Sequence, residues 1–384
     1  MAAQKRLVVC FDGTWNAADS ERAETNVVKL ARAIPVRDPA GILQLVLYLR
    51  GVGTGSMADK VLGGATGEGV ENNLRSGYMF IAQNYEPGDE IFLFGFSRGA
   101  FTARSLSGFI SAAGLLKSEC LRLIFEAWQY YRTPRDNRDS ANFHAVRASN
   151  CHEAVRIKCV GVWDTVGALG IPASAFASFN LKQFGFHDTQ PSDMVENAFH
   201  ALAVDEMRDE FVPTLWTMPD SAAEKPVPRV EQVWFAGAHS DVGGGYDPKN
   251  ALSDIPLLWM AERAQSCGLH LSSRLLPDKL TLNPLAVLHD ARKVLSYSAL
   301  DLLRPTLREV CGTTFKAALN EKAYWPQNEK GERLVTIGER LHWSVVDRFG
   351  KKGAVYPSAT LPYRPKNLEP AVKRAQADQA LISL

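Results

Sequence analysis

Short continuous apolar runs separated by helix-like segments predict an α/β protein, and a Gly-x-Ser-x-Gly pentapeptide set between one such run and one such segment narrows the type. The expected architecture is α/β-hydrolase-like: a doubly wound, mostly parallel sheet with helices on both faces and a mostly helical C-terminal extension. A hydrophobic content of 46% beside 22% charged residues supplies enough apolar side chain for a sizeable buried core. The length of 384 residues suits one large catalytic unit with insertions.

The strands are read in order. Arg6 to Phe11 (RLVVCF), Ile42 to Leu49 (ILQLVLYL), Glu90 to Phe94 (EIFLF), Arg156 to Trp163 (RIKCVGVW) and Arg229 to Phe235 (RVEQVWF) are apolar without alternation. Continuous apolarity suits strands covered on both faces, as in a parallel sheet. Helices are expected at Asn26 to Ala33, Gly69 to Asn84, Arg98 to Ala113 and Pro191 to Ala203. Gly170 to Asp188 breaks the rhythm, with Phe176, Phe179, Phe184 and Phe186 in a loop-like context. Such rings suit either a lid or acyl-chain wall, or simple core packing. Beyond Leu271 the pattern reads as mostly helical, and Pro370 to Leu384 is compatible with a helix.

Composition excludes several function classes. With 43 basic and 42 acidic residues the net charge is +1, which argues against a nucleic-acid binder driven by a basic surface. Six cysteines form no CxxC pair and read as free thiols of a reducing compartment. Only five apolar residues, LVVCF, separate Lys5-Arg6 from Asp12, too few for a signal-peptide core. No run reaches the roughly 18 apolar residues that a membrane span requires. The expectation is a chain made in the cytoplasm.

The chemistry centres on Gly95-Phe96-Ser97-Arg98-Gly99. A strand feeds it and a helix leaves it, which is the context of a nucleophile elbow: a tight turn pushes the serine into a strained backbone position with its hydroxyl exposed. The flanking glycines remove side chains that would clash there. A serine needs a base and the base an orienting acid. His239 follows the strand VWFAGA and precedes a glycine-rich loop, while Asp164 ends VGVWDTVG. Ser97, Asp164 and His239 therefore each follow a strand, in the chain order of hydrolase triads. His342 is the second-choice base. His200, with Asp205, lies in a stretch read as helical and is expected to be structural. Asp241 and Asp254 are alternatives to Asp164, and Asp241 is equally suited to organising its loop or binding a cation.

Asp12-Gly13-Thr14 follows the first strand and is expected at the same sheet edge. A backbone N–H of Gly13 or Thr14 would supply one oxyanion donor and that of Arg98 the other. Asp12 itself suits loop organisation, as in an Asx turn, or help in binding a metal. Gly51-Val52-Gly53-Thr54-Gly55 and Gly63 to Gly69 match neither a P-loop nor G-x-G-x-x-G and read as loops near the site. No zinc or calcium motif is present, and neither a metal nor a cofactor is expected.

Six phrases in order carry a resemblance: FDGTWN (Phe11 to Asn16), GFSRGAFTAR (Gly95 to Arg104), GVWDTVGALG (Gly161 to Gly170), ALAVDEMR (Ala201 to Arg208), VWFAGAHSDVGGGY (Val233 to Tyr246) and LSDIPLLWM (Leu252 to Met260). Together they resemble the DUF2235 domain, also described as the catalytic domain of Tle1-like phospholipase effectors of the type VI secretion system. The resemblance implies an α/β-hydrolase fold, a triad on Ser97, Asp164 and His239, and carboxylic-ester hydrolysis of membrane phospholipids, in a catalytic domain over roughly 5–350, with 271–350 a mostly helical part of it and 351–384 a C-terminal tail. It also implies leaderless export, peripheral membrane contact and an immunity or secretion-apparatus partner, with no nucleic acid. A non-lipid carboxylesterase and a non-catalytic binding module on the same scaffold are the alternatives.

Overall fold

The computed structural model describes residues 5–13, 23–51, 67–133, 137–138, 140–166, 190–218, 229–246, 250–291, 304–328, 330–356 and 359–384. Five strands run where the apolar stretches predict them: β1 (Lys5–Phe11), β2 (Leu43–Leu49), β3 (Glu90–Phe96), β4 (Ile157–Trp163) and β6 (Arg229–Phe235). With β5 (Asn197–Ala203), β10 (Glu339–His342) and β13 (Ile382–Ser383) they build one sheet in the order β13-β10-β6-β5-β4-β3-β1-β2. Every pairing in it is parallel. This is the mostly parallel, hydrolase-like α/β fold that the sequence predicts.

Both faces of the sheet are apolar because both are covered. Leu7, Val9 and Phe11 of β1 pack on one side with Leu74 and Tyr78 of α2 (Gly67–Asn84) and Leu106 and Phe109 of α3 (Arg98–Ala113). The same side carries Trp128 of α4 (Ile124–Arg132), and a further helix, α5 (Ser140–Asn150), follows in the chain. Val8 and Cys10 point to the other face, where Val27 and Leu30 of α1 (Asn26–Ala33) and Leu257 and Met260 of α7 (Asp254–Ser266) close the layer. Successive strand residues alternate between faces, so each strand feeds two cores.

Register brings the working ends together. Phe11 lies opposite Gly95, Phe96 opposite Trp163, Trp163 opposite Ala201 and Ala203 opposite Phe235. The carboxyl ends of β1, β3, β4, β5 and β6 therefore share one rim. The chain also reverses its direction of advance across the sheet between β1 and β3, the switch point at which open α/β sheets form their crevices.

Two expectations are corrected. The stretch Pro191 to Ala203, read as helical, ends in strand β5, buried between β4 and β6. Its alanines and leucine favour a helix weakly, and burial in the sheet overrides that preference. Among the described residues after Leu271, the structure is not mostly helical either. They contribute β7 (Leu288–His289), β8 (Thr306–Arg308), β9 (Lys322–Tyr324), β10, β11 (Lys352–Tyr356), β12 (Ala359–Pro362) and β13. Between and beside these strands lie α8 (Trp343–Arg348) and α9 (Glu369–Ala377). Residues 359–384 dock: Ala371 and Val372 join the core, and β13 extends the sheet on β10.

Candidate active site

Ser97 occupies the turn between β3 and α3 with φ 59° and ψ −122°, a conformation that L-residues avoid. Such strain costs about 1–3 kcal/mol and persists only where surroundings over-determine it. Here the Ser97 N–H donates to Trp163 O (3.1 Å), and Ser97 O accepts from Phe101 N (3.2 Å). The flanking glycines are required by close approach. A Cβ at Gly95 would lie 2.3 Å from Gly99 O, and one at Gly99 would lie 2.2 Å from Phe11 O.

Asp164 follows β4 with its own positive φ of 37° and is fully buried. Its Oδ2 lies 2.6 Å from Nδ1 of His239, and its Oδ1 accepts from Ala203 N (3.0 Å). A guanidinium completes the shell: Arg308 Nη1 reaches Oδ1 at 2.6 Å and Nη2 reaches Oδ2 at 3.1 Å. Burial pushes this carboxyl up, but the Arg308 charge and the bond and charge of His239 outweigh it and hold the group well below the usual range. An ionised Asp164 accepts from Nδ1–H and leaves the Nε2 lone pair of His239 as the acceptor.

His239 opens α6 (His239–Gly243), after β6. Its ring lies between Phe96, at 4.6 Å between centroids, and Phe211, edge-on at 4.9 Å. Its backbone N–H donates to Glu206 Oε2 (3.2 Å), and Glu206 is itself forked by Arg208 through two 2.7 Å bonds. Burial lowers the imidazole pKa, against the opposing pull of Asp164 and Glu206. Nε2 is buried and has no hydrogen-bond partner among the described residues. The structure thus joins Asp164 to His239 and brings Phe96, the neighbour of Ser97, against the imidazole. It does not make a hydrogen bond from Ser97 to Nε2.

The backbone N–H of Gly13, expected as an oxyanion donor, has a partner in its own loop. It donates to Asp12 Oδ1 (2.7 Å) and is spent there. Asp12 also accepts from Thr25 Oγ1 (2.9 Å) and Tyr48 OH (2.6 Å), so it organises the loop after β1. Burial raises its pKa. Arg98 is the first residue of α3, directly after Ser97. Thr14, Phe176 and Phe179 lie outside the described residues.

The competing residues have other occupations. His200 Nε2 accepts from Thr165 N (3.0 Å), and burial lowers the pKa of this imidazole to about 3. His342 caps α8 through Ser344 and stacks on Phe235. Asp254 pairs with Lys29, and Asp205 accepts from Tyr363 OH and Gly237 N. Asp241 accepts from Ala238 N and from both backbone and ring N–H of His289, so it organises its turn. Gly243 matters for packing, because a Cβ there would strike the Phe96 ring. Arg308, Glu206 and Phe211 escaped the sequence reading. Glu206 stands in the phrase ALAVDEMR, which offered a signal; Arg308 stands in no motif.

The model of the type VI secretion system phospholipase effector Tle1-like catalytic domain matches residues 5–263. The chain belongs to this family. An uncharacterised protein of Saccharomyces cerevisiae is 27% identical over 302 residues, covering 71% of this chain and 42% of the yeast protein. Among solved structures, an uncharacterised protein from Pseudomonas aeruginosa is 20% identical with a TM-score of 0.44, covering 72% of this chain and 48% of that one. A Tle1 effector, solved bound to the VgrG spike of its secretion system, is 19% identical with a TM-score of 0.35, covering 64% and 52%. The chain spans less than half the length of the yeast and Pseudomonas proteins. Among the described residues of this family member, no helix is long and apolar enough to cross a membrane.

Proposed function

We propose that this member of the Tle1-like family is a serine ester hydrolase acting on membrane phospholipids through an acyl-enzyme. The observation that carries the reading is the buried Asp164–His239 pair, whose Nε2 is unpartnered against Phe96, the residue before the strained Ser97 turn. In the reaction, Nε2 accepts the Ser97 hydroxyl proton while Oγ forms a bond to the acyl carbonyl carbon. Collapse of the tetrahedral intermediate breaks the ester C–O bond, and the imidazolium returns the proton to the leaving alcohol. Water repeats the sequence on the acyl-enzyme and releases the fatty acid.

The Arg98 N–H, at the positive end of α3, is the first oxyanion donor. The Gly13 N–H joins it only if its bond to Asp12 is exchanged for one to the oxyanion. Family membership supports lipid as the substrate class, together with type VI delivery and a secretion-apparatus partner. Contact with a membrane surface and an immunity partner follow from the same reading.

A panel of soluble short-chain esters and phospholipid vesicles, tested with the wild type and with Ser97→Ala, decides the matter. The expected result is vesicle hydrolysis by the wild type and a loss of about 10⁴-fold or more in the variant. Turnover of soluble esters alone would favour a non-lipid carboxylesterase. Equal turnover by the variant would remove Ser97 as nucleophile.

A further inference from the structure

Arg308 lies outside residues 5–263, yet it makes two bonds to the acid of the site, one to each oxygen of Asp164. Its guanidinium is fixed from behind as well, donating to Ala203 O (2.7 Å) and Phe211 O. Its backbone is fixed too: β8 pairs with β9, and Asn367 Nδ2 donates to Arg308 O (3.0 Å). A planar fork held at both ends matches a carboxylate in a way that a point charge does not.

We propose that Arg308 is the positioning residue of this site: it clamps both oxygens of Asp164, so that Oδ2 is presented to Nδ1 of His239, and its charge balances that carboxylate. The proposal rests on the serine-hydrolase reading. Fully buried, Asp164 would otherwise sit uncompensated beside a neutral imidazole, which is costly in a low-dielectric interior.

The surroundings of His239 show what the clamp does. From β4 comes Asp164, from β8 Arg308, and from the segment after β5 come Glu206 and Arg208. On its own helix Asp241 is occupied by His289, and the Phe96 and Phe211 rings cover the imidazole. The two carboxylates nearest His239 are thus each forked by an arginine, so the imidazole sits among balanced charges. It consequently stays neutral, and able to accept a proton, further into the acid range than an imidazole facing an unbalanced aspartate.

The test combines kcat/KM profiles between pH 4 and 8 with NMR titration of the His239 ring. It uses Arg308→Met, Arg308→Lys, Asp164→Asn and the double variant Asp164→Asn with Arg308→Met. Arg308→Met is expected to move both the acid limb and the ring titration upward by about one unit, because an uncompensated carboxylate favours imidazolium. It should also lower kcat by about 10²-fold through misplacement of the base. Arg308→Lys is expected to keep the wild-type titration and recover only part of kcat. In the Asp164→Asn background, Arg308→Met should still raise the ring titration, because the same cation is lost, but should cost little further kcat, because no carboxylate remains to be positioned.

An unmoved acid limb in folded Arg308→Met, or full recovery of kcat by lysine, would overturn the proposal, as would the same further loss of about 10²-fold in kcat when Asp164 is already Asn. If Arg308→Met does not fold, the lysine variant and the double variant, which leaves no unpaired charge, decide. If the wild type turns over no ester, the hydrolase reading fails by itself, and the ring titrations still judge the clamp.

Discussion

Among the described residues, two histidines are held through Nδ1 by a buried aspartate at nearly equal distance. Asp164–His239 spans 2.6 Å and Asp241–His289 spans 2.7 Å, and one helical turn, α6, carries a member of each pair. Their environments part company. Asp164 is forked by Arg308 and held below the usual carboxylate range, whereas burial pushes the Asp241 carboxyl up. Asp241 spends both oxygens on Ala238 N and His289, closing a turn, and the His289 ring stacks on Tyr246 at 4.0 Å. His239 instead keeps a buried, unpartnered Nε2 against the residue that precedes Ser97. The two pairs therefore share their geometry at Nδ1 and differ in what balances the carboxylate and in what the ring faces.

The comparison breaks most sharply in activity. Asp164→Asn should lower kcat by about 10⁴-fold, since the imidazole loses its orienting carboxylate and the favoured tautomer. Asp241→Asn should cost less than about 10-fold in kcat while lowering stability by roughly 1–3 kcal/mol, because buried N–H groups lose their acceptor. Steady-state kinetics beside urea unfolding separate the two effects, and equal activity losses would erase the distinction.

A smaller effect lies in the pH dependence of stability. Asp164 has a depressed folded pKa, so its ionisation stabilises the fold above the ordinary carboxyl pKa, ~3.9, and that contribution is lost as pH falls below it. Asp241 has a raised folded pKa, so its contribution is complete below ~3.9 and is lost as pH rises through the folded value. The stability deficit of Asp164→Asn should accordingly shrink on acidification, and that of Asp241→Asn should shrink as pH rises toward neutrality. Urea midpoints from pH 3 to 8 measure both. Deficits that run parallel with pH would contradict the assignments.

Much of this was legible in the sequence, for reasons that can be stated. Strands β1, β3 and β4 are covered on both faces, and that burial writes itself as long apolar runs, while β2 at the sheet edge and the end of β6 carry enough apolar side chains to read the same way. The Ser97 turn was legible because close approach forbids a Cβ on either side of it. Strand β5 was not, because NAFHALA has helix-forming composition and becomes a strand only between two neighbours. Strands β10 and β13 are two to four residues long, too short for a period to show. Arg308 had no motif: it lies 144 residues from Asp164, and a lone arginine in TLREV says nothing of its partner. The bond between Gly13 and Asp12 was equally invisible, since a backbone N–H can face an oxyanion or its own carboxylate with the same residues in place.

The central claim, that Ser97 is a nucleophile activated by His239, is tested most directly by intact-mass analysis after treatment with a fluorophosphonate. One adduct per folded wild-type chain, located by peptide mapping on Ser97 and absent from both Ser97→Ala and His239→Ala, is the expected result. A folded wild-type protein that takes up no adduct, or one modified at another residue with Ser97 untouched, would contradict it.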